Sequence, residues 1–438
     1  MLPETSIILV DNDQSELDIL SSAFFKSGIS CLPLLYDSKT GVNSYNLKPS
    51  VNIRWLFMDL NLEDLPSNEA ASFIGPIVNV IESLVSGGMY SLIFWSKHES
   101  IIDDIVERIK VDSYLHQKIP CPIQILKLDK TSFKDSDDLK NSLLKYLDSP
   151  PMIKSLYQWE ELTNKSVDNV INKIHSLANT NKTWDIESLK SNISNILSLL
   201  AYESTGIKMA NDESKKSLNN GLLSIVEDEY NNISSENIWD DYCLIPYKNL
   251  DLSELSKSNL NTYLFVEDVD FNNLNDKTFD KGVMTFVKNN REFINDFINN
   301  ENCINEEFFN YNSNGDKYID DLIIGSLEVS PDCDHANRKV KLNRFLLAAL
   351  IPKDKFEELN KNNKYNDGVF GELPYFMYNN KQYKLMISYK YLFSISKNDT
   401  ALLSLFESNG IRIKENILSK VRSEMSRHIS RLGYMAIH

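Results

Sequence analysis

The chain has no apolar run approaching the roughly 18 residues that a membrane helix needs. Its first residues, Met1-Leu-Pro-Glu4, do not form a basic stretch leading into an apolar one. The expectation is a protein with no membrane span and no signal peptide. Positive charge is scarce: 46 Lys and Arg against 62 Asp and Glu give a formal net charge of −16. That excludes a surface that grips a phosphate backbone all over, because such binding draws on clustered cations. The five cysteines, Cys31, Cys121, Cys243, Cys303 and Cys333, are odd in number and show no CxxC spacing. This argues against a disulfide framework and a zinc ribbon, and it makes a reducing cytoplasm the expected location. Also missing are a Gly-rich phosphate loop of the Walker kind, a Gly-x-Ser-x-Gly elbow, and any helix-turn-helix or zinc-finger pattern.

What is present fits an ordinary globular protein. Hydrophobic residues make up 42% and charged ones 25%, so disorder does not dominate, and 438 residues imply two or three domains. Residues 6 to 148 alternate strand and helix. The apolar runs Ile7–Val10, Trp55–Met58, Tyr90–Trp95 and Pro122–Leu126 read as strands, and Gln14–Ser27, Asn68–Val85 and Asp135–Leu147 as helices. Such alternation implies a parallel sheet covered on both faces. Pro150-Pro151 marks a boundary, since proline ends helices. From Met152 to about Ser235 apolar residues recur at helical intervals, with Asp185 a plausible N-cap. After Trp239 come short strands, among them Leu264–Val266, Leu322–Val329, Phe345–Ile351 and Tyr383–Ser388. A helix from about Lys414 to Ser430 follows, with Ile417, Leu418, Val421, Met425 and Ile429 on its apolar face. The expected domains are 1–149 (α/β, a doubly wound five-stranded parallel sheet), 150–238 (helical) and 239–438 (α+β).

The chemistry concentrates at strand ends. Asp11-Asn12-Asp13 follows the first strand, Asp59 the second and Ser96 the third, while Lys127 and Lys130 follow the fourth. In an open parallel sheet these ends share one crevice. A carboxylate that accepts a phosphoryl group needs a divalent cation beside it, and a hydroxyl and an ammonium suit the bound oxygens. This ordered set resembles the receiver domain of two-component response regulators, over about a third of the chain. The resemblance implies Asp59 as phosphoacceptor, Asp11, Asp13 and Asp59 around Mg²⁺, Ser96 as the switch hydroxyl, Lys130 as the phosphate-pairing lysine, and a histidine kinase or another protein as partner. The chain departs from the family pattern at Asn12, where a second acid is usual, and at Thr131, where proline usually follows the lysine; Lys127 competes with Lys130. A pseudo-receiver, which keeps the fold without the chemistry, is the alternative.

Farther along, Ser330-Pro-Asp-Cys333-Asp334-His335 is expected to be a loop between strands. Cys333, Asp334 and His335, with His428 (and His438) elsewhere, offer metal ligands or a thiol nucleophile with a base; a structural turn is the plain alternative. The string also resembles a Ser-x-x-Cys-Asp motif of uncharacterised prokaryotic conflict and phage-defence proteins, which close with an Arg-x-Gly segment such as Arg431-Leu-Gly433. Two basic groups, Arg338, Lys339, Lys341 and Arg344, and Lys414, Lys420, Arg422, Arg427 and Arg431, would contact nucleic acid if they converged; solvated helix faces are favoured instead. Asn310–Asp316 imitates half of a calcium loop, but Asp321 stands where Glu is needed. The expected function is a signalling protein in which a receiver-like domain controls a C-terminal output, with antiviral defence as a setting. The rivals are a metal- or cysteine-dependent effector enzyme, such as a nuclease, and a non-catalytic assembly subunit.

Overall fold

The computed structural model describes residues 6–65, 69–97, 101–132, 151–180, 182, 184–233, 239, 244–270, 278–299, 308, 319–337, 342–359 and 370–430. The helix expected over Asp135–Leu147, the Asn310–Asp316 turn, Arg338, Lys339, Lys341, Arg431–Gly433 and His438 lie outside these residues, as does the side chain of Cys333. The chain divides into two compact units, Met1–Tyr157 and Gln158–His438.

The first unit runs β1 (Ile7–Asp11), α1 (Gln14–Lys26), β2 (Leu32–Leu35), β3 (Trp55–Met58), α2 (Ala70–Leu84), β4 (Ser91–Ser96), α3 (Ile102–Val111), α4 (Ser113–Lys118) and β5 (Gln124–Asp129). Its five strands are all parallel, in the order β2-β1-β3-β4-β5, which bears out the expected sheet. Strand alternation explains the burial of both faces. Ile7, Leu9, Phe57, Ile93, Trp95 and Leu128 pack with Leu17, Leu20, Ala23 and Phe24 of α1. Their neighbours Ile8, Val10, Leu56, Met58, Leu92 and Phe94 pack with Phe73, Ile77 and Ile81 of α2 and Ile102 and Ile105 of α3. Register then decides what reaches the carboxyl edge: Val10 pairs with Met58, Met58 with Phe94 and Phe94 with Lys127. The fourth predicted strand therefore sits later than expected, with Lys127 inside it and Lys130 just beyond its end.

In the second unit, α5 (Pro151–Ala178, which begins in the first unit), α6 (Ile186–Thr205), α7 (Ile207–Asp212) and α8 (Ser214–Ile233) form the helical stretch. Asp185 caps α6 as the pattern predicted, its carboxylate accepting from Ser188 N at 3.1 Å. Next come α9 (Glu254–Phe265), β6 (Val266–Asp270), β7 (Val283–Val287), β8 (Ile323–Glu328), α10 (Asp332–Asn337), β9 (Asn343–Pro352), β10 (Phe370–Glu372), β11 (Phe376–Tyr378), β12 (Lys381–Ile395), β13 (Phe406–Ile413) and α11 (Glu415–Ile429). Among the described residues the sheet is antiparallel, in the order β10-β12-β9-β8-β7-β13-β6, with β11 paired to β12.

Three local expectations change here. Leu264 and Phe265 end a helix, and strand begins only at Val266. The Ser330–His335 string contains a helical turn, α10, in place of a loop. On α11, Leu418, Val421 and Met425 are buried, but Ile429 is 58% exposed beyond the edge of the core. Strand pairing at β8 depends on a glycine, because a Cβ at Gly325 would run into the Thr285 carbonyl oxygen of β7. Gly325→Ala should therefore lower stability by about 1–3 kcal/mol, as forced overpacking does, measured by urea unfolding of the full chain.

Candidate functional site

The site of the first unit lies where the parallel strands end. Asp11 is the last residue of β1, Asp59 follows β3, Ser96 closes β4 and Lys130 follows β5. Each is at most 8% exposed. The β1/β3 junction, with β2 on the far side of β1, is where connections leave in opposite directions and open a crevice.

Lys130 is the centre of this arrangement. Its Nζ donates to Asp11 Oδ2 at 2.6 Å and lies 3.1 Å from Asp59 Oδ1. Two carboxylates so far from water stay together only with a cation between them. The other Asp59 oxygen accepts from Asn61 N at 3.0 Å, and the Asn61 side chain ties the following turn by accepting from Leu65 N at 2.8 Å. Above these groups is a cleft of about 140 Å³ whose walls include Asn12, Asp13, Asp59, Asn61, Ser96 and Lys130. At its rim Lys97 pairs with Glu16 at 2.9 Å.

The structure thus brings Asp59, Asp11, Ser96 and Lys130 together as the sequence suggested, and it separates the two lysine candidates: Lys127 pairs outward with Asp103 at 2.7 Å. Asp13 lines the cleft, but its carboxylate is turned to the start of α1, accepting from Ser15 Oγ at 2.6 Å and Ser15 N at 2.8 Å. Those bonds hold Asp13 below the usual carboxylate range. Asn61 and the Glu16–Lys97 pair were not picked out from sequence; the Asx-x turn pattern after Asp59 is the signal that was available for Asn61. Oxygen donors suited to a hard divalent ion border the cleft. As the side chains stand, however, no three acidic, His or Cys groups among the described residues gather closely enough to hold one.

In the second unit, His335 Nε2 meets Glu328 Oε2 at 2.9 Å, and Glu328 is wholly buried. Arg422 of α11 pins this segment from the other side, donating to the carbonyls of Val329 and Ser330 and to Asp332 Oδ1 at 2.5 Å. Lys281 also pairs with Asp332, at 2.7 Å. Arg422 is therefore a clamp inside the fold, and Lys420 and Arg427 flank Glu424 at 4.0 and 3.9 Å on the same helix. His428 packs against the Tyr389 ring, centroids 6.4 Å apart. No helix among the described residues is long and apolar enough to cross a membrane.

Set against protein-family models, curated proteins and solved structures, the chain matches none.

Two outcomes follow from Lys130 and Asp11. Lys130→Met leaves two buried carboxylates without their cation and should cost about 3–5 kcal/mol in denaturant unfolding. Burial pushes Asp11 up to about 6, Lys130 pulls against that, and Asp59 adds to it. A carboxyl raised in the folded state contributes stability that is complete below its ordinary value of 3.8 and is lost as pH rises through about 6. Asp11→Asn should abolish that decline between pH 4 and 6, measured by unfolding at a series of pH values.

Proposed function

We propose that the chain is a signalling protein whose first unit is a receiver-type phosphoacceptor module, with Asp59 as the acceptor, and whose second unit is the output that it controls. The observation that carries this reading is the convergence of Asp11, Asp59, Ser96 and Lys130 at the carboxyl ends of β1, β3, β4 and β5, with Lys130 within 3.1 Å of both carboxylates. In the proposed step an oxygen of Asp59 attacks the phosphorus of a phosphohistidine on a kinase partner. A P–O bond forms, the P–N bond breaks, and the departing imidazole takes up a proton. Lys130 and Ser96 then bind the phosphoryl oxygens. Mg²⁺ is part of the proposal as the ion that would neutralise the transferred group, with Asp11, Asp13 and Asp59 as the carboxylates that would hold it. Phosphorylation draws Lys130 toward the new oxyanion and away from Asp11, which changes the packing at the ends of β1 and β5. The Ser330–Asp334 resemblance adds phage defence as the proposed setting.

A second reading has a specific observation behind it. Asn12 is neutral where a second acid would help bind a metal ion, and Lys130 already bridges Asp11 and Asp59. That arrangement suits a pseudo-receiver that docks a partner without chemistry. Beryllofluoride separates the readings, because it mimics an acyl phosphate only on an accessible carboxylate. With Mg²⁺ it should raise the Tm of the wild type and leave Asp59→Asn unchanged. No shift in either protein would retire the phosphoacceptor reading in favour of docking.

A further inference from the structure

Helix α9 is amphipathic in the reverse sense. Ser258, Asn261 and Thr262, spaced i, i+3 and i+4, share one face, and that polar face is turned to β11 and β12. Asn261 Nδ2 donates to the Tyr375 carbonyl oxygen at 2.8 Å, Met377 N donates to Thr262 Oγ1 at 2.8 Å, and Gln382 Nε2 donates to Ser258 Oγ at 2.7 Å. The opposite face repeats the same spacing with Leu260, Tyr263 and Leu264, which are 51%, 75% and 49% exposed. A surface helix usually buries its apolar stripe and shows its polar one. Here the bonds to β11 and β12 fix the orientation, because rolling α9 over to bury the leucines would break all three and leave the Met377 N–H without its acceptor.

The surface left outside is large enough for a lasting contact. A stable interface buries roughly 800 Å² per partner and rests on a few aromatic and aliphatic anchors. Tyr263 between two leucines, with Tyr247, Leu250 and Leu255 also exposed on the same stretch of chain, is on that scale.

Charge selects the occupant. The stripe itself holds neither acid nor base. Lys257 lies one turn before Leu260, and Asp268 lies on β6, four residues beyond Leu264; both are exposed. Lys257 is engaged only by the exposed i,i+3 partner Glu254, at 2.7 Å, a weak pair that a better acceptor can replace. Opposite charges at opposite ends of an apolar stripe make the surface complementary to itself. When two such stripes cross in the antiparallel sense, the lysine of each lies toward the aspartate of the other, and the helix dipoles oppose favourably.

We propose that α9 is a self-association surface, through which two copies of this chain pack Leu260, Tyr263 and Leu264 against one another in an antiparallel, two-fold arrangement.

Light scattering on a dilution series of the full chain should report the mass of two chains, falling to that of one on dilution. Tyr263→Lys puts a charge at the centre of the stripe without touching the core, and it should weaken association by about tenfold or more while leaving the unfolding curve unchanged. Lys257→Glu should also weaken association, and Asp268→Lys added to it should restore the wild-type dimer, since the swap exchanges the two ends. A chain that is monomeric at every concentration, or a dimer that Tyr263→Lys leaves intact, overturns the proposal. A charge swap that fails to restore what Lys257→Glu removes overturns the antiparallel arrangement.

Discussion

The first unit depends on one buried ammonium. Lys130 joins the end of β5 to the end of β1, 119 positions earlier in the chain, and reaches the residue after β3 as well. Without it, Asp11 and Asp59 would place two negative charges side by side away from water, an arrangement that burial and mutual repulsion both oppose. With it, three strand ends are fixed relative to one another. The cleft above them then presents Asp59, Ser96 and Lys130 in one place. The sheet supplies the stiffness this needs, since β1, β3 and β4 are apolar on both faces and are held between α1 and the α2–α3 pair.

The second unit handles buried charge differently. Glu328 is held by two neutral donors and an imidazole, and the segment after it is fastened from α11 by Arg422. The cations that the sequence suggested for nucleic acid are partly consumed by this fastening. Arg422 spends its donors on Val329, Ser330 and Asp332, so it shapes the fold and is not displayed to a partner.

Legibility in the sequence followed the strength of the local signal. Ile7–Val10 and Trp55–Met58 are unbroken apolar runs ended by acids, and both strands and both carboxylates were readable from that alone. β2 was not picked out, because Leu32-Pro-Leu-Leu is short and carries a proline that only an edge strand accepts. The choice between Lys127 and Lys130 needed the register of β5, which the five-residue run Pro122–Leu126 does not set. Glu328 was hidden for a different reason. In Leu322–Val329 it reads as an outward residue on an alternating strand, and only the fold reveals that His335 and Asn343 return to cover it. The capping role of Asp13 was equally invisible, since an acid after a strand and before a helix serves either as a ligand or as an N-cap.

The central claim is that Asp59 carries a phosphoryl group, and an aspartyl phosphate has a chemical signature of its own. Acetyl phosphate with Mg²⁺, followed by borohydride, converts a phosphorylated aspartate to homoserine, which peptide mass spectrometry assigns to a position. The account predicts homoserine at residue 59 in the wild type and none in Lys130→Met. Modification at another carboxylate, or none anywhere in a folded wild-type chain, would contradict it.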